Sequence, residues 1–159
     1  MSHHTGHSIN RIAFSATVHC LTGCAIGEVL GMVIGTGFNL SNLVTIILST
    51  ALAFLIGYSL TLKPLLSAGI VFGTAVGLAF ASDTLSIATM ELADNATMLL
   101  IPNAMNATLT QPLFWGSLVL SLVTAGVLAF PVNRWLMTRG KGHGVIHEYM
   151  GHNTGHGNH

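Results

Sequence analysis

Ile12–Gly35 reads IAFSATVHCLTGCAIGEVLGMVIG, and this stretch decides the fold. A helix needs roughly 20 mostly apolar residues to cross the hydrocarbon core of a bilayer, and this run is long enough. Its only acid is Glu28, and its only other ionisable groups are His19, Cys20 and Cys24. Cys20, Cys24 and Glu28 stand at i, i+4 and i+8, with Met32 continuing the row. Taking His19 as zero, they fall at about 100°, 140° and 180° around a helix, so they share one face.

Three further apolar stretches follow. One covers about Leu43 to Leu62. The next begins at Leu65 and stays apolar to about Ala81, with polar interruptions after it. The last covers about Leu113 to Leu136. The chain has five basic and five acidic residues among 159, is 51% hydrophobic, and has a mean hydropathy of +0.69. Soluble domains carry about a quarter charged residues, so this chain cannot cover itself for water. No sustained apolar/polar alternation marks the strands of a membrane barrel. The expected fold is all-α, a bundle of four transmembrane helices in the lipid bilayer.

With four spans, Arg11, Lys63, Arg134, Arg139 and Lys141 fall on one side. The opposite loops, near Phe38–Asn42 and Glu91–Gln111, hold no Lys or Arg. Basic loops stay on the cytoplasmic side, so both termini are expected there. The organisation is then a His-containing N-terminus (1–10), a membrane domain (11–138) and a His/Gly-rich tail (139–159). No cleavable signal peptide is evident, since the first ten residues are polar and the run that follows is long enough to span. A net charge of zero with neutral His points away from nucleic acid. His3, His4 and His7, with His143, His147, His152, His156 and His159, are interspersed, unlike an unbroken purification tag. Such tracts capture metals weakly.

Read as one helix, Leu65–Ile101 would extend about 55 Å, far more than a bilayer. The third span is therefore expected to end near Met90. Residues 91–111 would form an external loop or surface helix, broken by Pro102 and Pro112. Pro131 should kink the fourth helix or mark its exit.

Small residues recur every fourth position, at Gly23, Gly27, Gly31 and Gly35 and again at Gly69, Gly73, Gly77 and Ala81. Ser49, Ala53 and Gly57, and Ser117, Ser121, Ala125 and Ala129, do the same. Such grooves let helix backbones approach closely within lipid, and packing explains them. They mark the first and third helices as the buried ones.

The thiol, thiol and carboxylate row shares its face with Gly27 and Gly31. Buried Cys is commonly no more than a small hydrophobe. An ionisable group within a span, however, is functional by default. Soft thiolates suit copper(I) or zinc, and imidazole suits both. A disulfide between Cys20 and Cys24 is a poor fit for a regular helix. One helix cannot close a tetrahedral site, so further ligands must come from the third helix or from a second copy. On the third helix, Asp83 and Met90 lie within about 20° of each other, with Asp94 between them and Glu91 farther round. No basic residue stands at the depth of Glu28 or Asp83. Their carboxyls are thus protonated, bonded to hydroxyls such as Ser82 or Thr84, or neutralised by a cation.

The run HCLTGCAIGEVLGM (19–32), with MELADN (90–95), FPVNRWLMTRGKGH (130–143) and VIHEY (145–149), resembles a family of bacterial membrane proteins catalogued as domain of unknown function 4396. The resemblance covers about residues 12–150, and its His-Cys-x-x-Gly-Cys start is the most specific part. It implies four spans, a place in the bacterial cytoplasmic membrane, and His19, Cys20, Cys24, Glu28, Asp83, Glu91, Asp94 and Asn95 as the polar positions that matter.

The function expected from these residues is metal binding or translocation. Copper is the first candidate and zinc the alternative, held by His19, Cys20, Cys24, Glu28, Asp83, Met90, Glu91 and Asp94. Two other readings stand beside it. One is a proton-coupled transporter working as a homo-oligomer through Glu28 and Asp83. The other is an accessory subunit of a larger membrane enzyme complex. No hydrolytic triad or nucleotide-binding loop is present, so no catalytic residues are expected.

Overall fold

The computed structural model describes residues 4–139, with side chains from Ile9 onward. Among these residues there are four long helices, α1 (His4–Gly37), α2 (Asn42–Ser67), α3 (Phe72–Leu100) and α4 (Pro112–Thr138), and one short 3-10 turn, Ala104–Asn106. The portions Ile9–Gly37, Asn42–Ser67, Phe72–Leu100 and Pro112–Thr138 are each long and apolar enough to cross a membrane.

The connections follow from local chemistry. After α1, the Leu40 N–H bonds the Gly35 carbonyl and the Asn39 N–H bonds that of Thr36, with Asn39 at φ 53°. After α2, the Ile70 N–H bonds Leu65 and the Gly69 N–H bonds Leu66, with Gly69 at φ 78°. Both are Schellman motifs, which satisfy the last carbonyls through a left-handed residue. Ser41 caps α2 through the Val44 N–H. Pro112 stands in the first turn of α4, where its missing N–H costs nothing.

The second motif corrects the expected third helix. Pro64 lies inside the last turns of α2, which continues to Ser67, so Leu65 closes α2 and does not open α3. The helix that follows starts at Phe72 and runs unbroken to Leu100. Residues 91–100 are therefore part of the third long helix, and the connection to α4 shrinks to 101–111. Pro131 lies within α4, which continues to Thr138.

The packing is antiparallel around a parallel diagonal. Gly23 meets Gly57, Gly27 meets Ala53, Gly31 meets Ser49 and Gly35 meets Thr45, four matched steps along α1 and α2. A Cβ on Gly23 would stand 2.9 Å from the Gly57 Cα, and one on Gly27 would overlap the Ala53 backbone. The α3 set does not act this way. Gly69 is the left-handed cap of α2, and Gly73 and Gly77 have no neighbour that an added Cβ would touch. They face outward, because α3 turns its Asp83–Asp94 face to the bundle axis.

The bundle is inverted relative to a soluble one. Phe14, Leu55, Phe80, Leu92 and Val127 are exposed, whereas Thr17, Ser49, Thr61, Ser82, Ser86, Ser121 and Asn133 are buried. Large apolar side chains outside and small or polar ones inside fit a lipid solvent. This is a multi-pass membrane protein. The exposed Arg11, Lys63, Arg134 and Arg139 gather at one end, here called the basic end.

Candidate functional site

Four of the chain's five acidic residues, Glu28, Asp83, Glu91 and Asp94, lie inside the bundle. Burying a carboxylate without compensation is expensive, so each needs a hydrogen-bond donor, a proton or a cation. Their partners define a polar row along the diagonal between α1 and α3.

Nearest the basic end, the Asn133 amide donates to the Thr17 hydroxyl at 2.9 Å and ties α4 to α1. Two residues farther along α1, His19 Nε2 lies 3.2 Å from the Thr61 hydroxyl of α2. Asp83 is 1% exposed and sits between α1 and α2. The Ser82 hydroxyl donates to its Oδ1 at 2.7 Å, and Thr61 and His19 are also near it. Of the two hydroxyls expected beside Asp83, Ser82 is used, while Thr84 pairs with the Tyr58 hydroxyl at 2.8 Å.

Next come the thiols, both free, at 1% and 3% exposure. Cys20 contacts Ser86 and faces Asp83. Cys24 faces Glu91, whose Oε2 accepts the Thr50 hydroxyl at 3.0 Å. Both thiols share a core layer with Met90, Ile87, Ala53, Ala125 and Ala129. Glu28 then meets Asp94, which also contacts Ser121 of α4. Asp94 Oδ1 is buried with no hydrogen-bond partner. Beyond it, Met32, Met98 and Met105 surround a small cavity together with Glu28, Glu91 and Asp94.

The structure thus brings His19, Cys20, Cys24, Glu28, Asp83, Met90, Glu91 and Asp94 onto one axis. Glu91 and Asp94, expected past the end of the third span in an external loop or surface helix, are interior residues because α3 continues past them. The arrangement is a row of pairs: among the described residues no three His, Cys, Asp or Glu side chains converge on one point as ligands to one metal ion. His143, His147, His152 and His156 lie outside the described residues, as does His3. Sequence reasoning missed Thr50, Thr61, Ser86 and Asn133, since hydroxyls and amides are common in spans and carry no periodic signal.

The family model described as a domain of unknown function (DUF4396) matches residues 10–142. No curated protein and no solved structure matches the chain.

Proposed function

Since the chain belongs to the DUF4396 family, whose description assigns no activity, we propose from the site alone that it binds and passes a soft metal cation through the bundle. Copper(I) is the first candidate and zinc the alternative. The observation that carries this reading is that each buried α1 thiol stands near an α3 acid, Cys20 near Asp83 and Cys24 near Glu91, with Glu28 and Asp94 continuing the row.

Successive donors on α1 are four residues apart, a rise of about 6 Å, so an ion moves from pair to pair in short steps. Thiolates select soft ions, and the acids supply negative charge where no Lys or Arg stands. Pairs rather than four-ligand cages suit copper(I), which accepts low coordination, better than resident tetrahedral zinc. With the basic end in the cytoplasm, as basic loops direct, the thiols lie nearer the inside and Glu28–Asp94 nearer the outside. The membrane is then the bacterial cytoplasmic one.

Metal analysis tests this. The full chain, purified without oxygen or chelators and offered copper(I), should retain about one ion or more per molecule. The Cys20→Ser/Cys24→Ser protein should retain less. Equal retention by the two proteins, or none by the wild type, rejects the reading.

One observation favours a second reading. Glu28 paired with Asp94, and His19 with Thr61 beside Asp83, also form stations for a proton. If protons are the cargo, Glu28→Gln abolishes flux while Cys20→Ser leaves it intact.

A further inference from the structure

A cavity of about 20 Å³ lies at the end of the bundle opposite the basic residues. Its wall includes Met32 of α1, Met98 of α3 and Met105 of the 3-10 turn, with Glu28, Glu91 and Asp94 on its inner side. A volume of this size holds one water or one dehydrated ion. Met32, Thr45 and Met105 also line a second, polar cavity of about 220 Å³, rimmed by Asn39, Asn42 and Asn106. The small cavity therefore sits directly beneath a wider vestibule at the bundle end. Asn42 donates to Asn106 Oδ1 at 3.3 Å, linking the connection that carries Met105 to the start of α2.

Buried methionines usually fill gaps in apolar layers. Met90 does so, packed among Ile87, Ala53 and Ala125. Met32 packs against Phe114 and Leu118 as well, but Met32, Met98 and Met105 come from three separate elements and share the wall of the small cavity with the acids, and Met32 and Met105 also border the polar vestibule. Asp94, only 5% exposed, lines the same cavity and has its Oδ1 without a partner. A buried oxygen of this kind is satisfied by a proton shared with Glu28 or by an ion or water in the cavity that it lines.

We infer that Met32, Met98, Met105 and Asp94 form a loading site for a soft monovalent cation, copper(I) or its mimic silver(I), ahead of the thiol pairs. Thioethers are neutral and soft, so they cost little to bury and discriminate against magnesium and calcium, which take oxygen ligands. One carboxylate oxygen supplies the compensating charge. The ion arrives and leaves as the monovalent species, so no electron transfer is involved. This inference rests on the soft-cation reading above and adds to it a site that does not need the cysteines.

Silver(I) titration of the full chain in detergent tests it, using the wild type, Cys20→Ser/Cys24→Ser and Met32→Leu/Met98→Leu/Met105→Leu. Leucine keeps the volume and removes the sulfur. The cysteine variant should keep one silver site, and the methionine variant should lose that site by roughly tenfold or more in affinity. Met105→Leu alone, in the short 3-10 turn of the connection, should weaken it measurably even if the triple variant does not fold. X-ray absorption on the copper(I)-loaded cysteine variant should show sulfur neighbours. Wild-type binding by the folded methionine variants, or oxygen neighbours only, overturns the loading site while leaving the thiol reading standing. Methionine-dependent binding with no cysteine-dependent retention supports the loading site and ends the thiol reading. No silver binding by the wild type ends both.

Discussion

Glu28 of α1 and Asp94 of α3 meet side chain to side chain across the bundle diagonal, and Ser121 of α4 is the hydroxyl beside them. Two acids in contact, with all four described Lys and Arg exposed at the basic end, hold their geometry only with a proton or a cation between them. The pair is therefore where the proposed binding role and a purely structural role can be separated.

Amide replacement separates these two roles. Glu28→Gln keeps the shape and hydrogen bonding, so thermal unfolding in detergent should change by no more than about 1 kcal/mol. Cation retention or flux should fall clearly in the same protein. A large loss of stability with unchanged retention would make the pair purely structural.

The α1–α2 seam depends on missing side chains. Gly27→Val puts two methyl groups and a Cβ into the Ala53 backbone and should destabilise the fold by about 1–3 kcal/mol or more. Gly77→Val, on the open face of α3, should leave the isolated chain's melting temperature almost unchanged. Equal effects at the two positions would contradict the packing described.

Thr17 and Asn133 carry a buried inter-helix hydrogen bond at 2.9 Å. Asn133→Leu removes it and leaves the Thr17 hydroxyl with its bond to the Ala13 carbonyl. Hydrogen bonds between membrane helices contribute about 0.6–2 kcal/mol, so unfolding in mixed micelles should shift by that amount. No shift would mean that the bond is replaced in the unfolded chain.

Both thiols are buried, at 1% and 3% exposure. A membrane-permeant maleimide should label Cys20 and Cys24 slowly in the folded protein and fully after denaturation. Bound copper(I) or silver(I) should slow labelling further, which mass spectrometry of the intact chain reads directly. Rapid labelling of the folded protein would place the thiols on an accessible path.

Sequence and structure divide the account along a physical line. Hydropathy and helical period are local properties, so the four spans, their number and the shared face of Cys20, Cys24 and Glu28 followed from the residues alone. Asp83 was legible too, because an acid within an apolar helix must turn inward. Glu91 and Asp94 were not, because their inclusion depended on where α3 ends. That was settled by the Gly69 turn, which assigned Leu65 to α2 and moved the whole of α3 outward along the chain.

Only the tertiary structure decided which helices pair. The glycine stripe of α1 serves α2, while the similar stripe of α3 faces outward, although period and composition are alike in the two. The difference arises because helix choice in lipid is set by complementary surfaces and cross-helix hydrogen bonds, such as Thr50 to Glu91 and Asn133 to Thr17. Those depend on residues far apart in the chain, and no single helix encodes them.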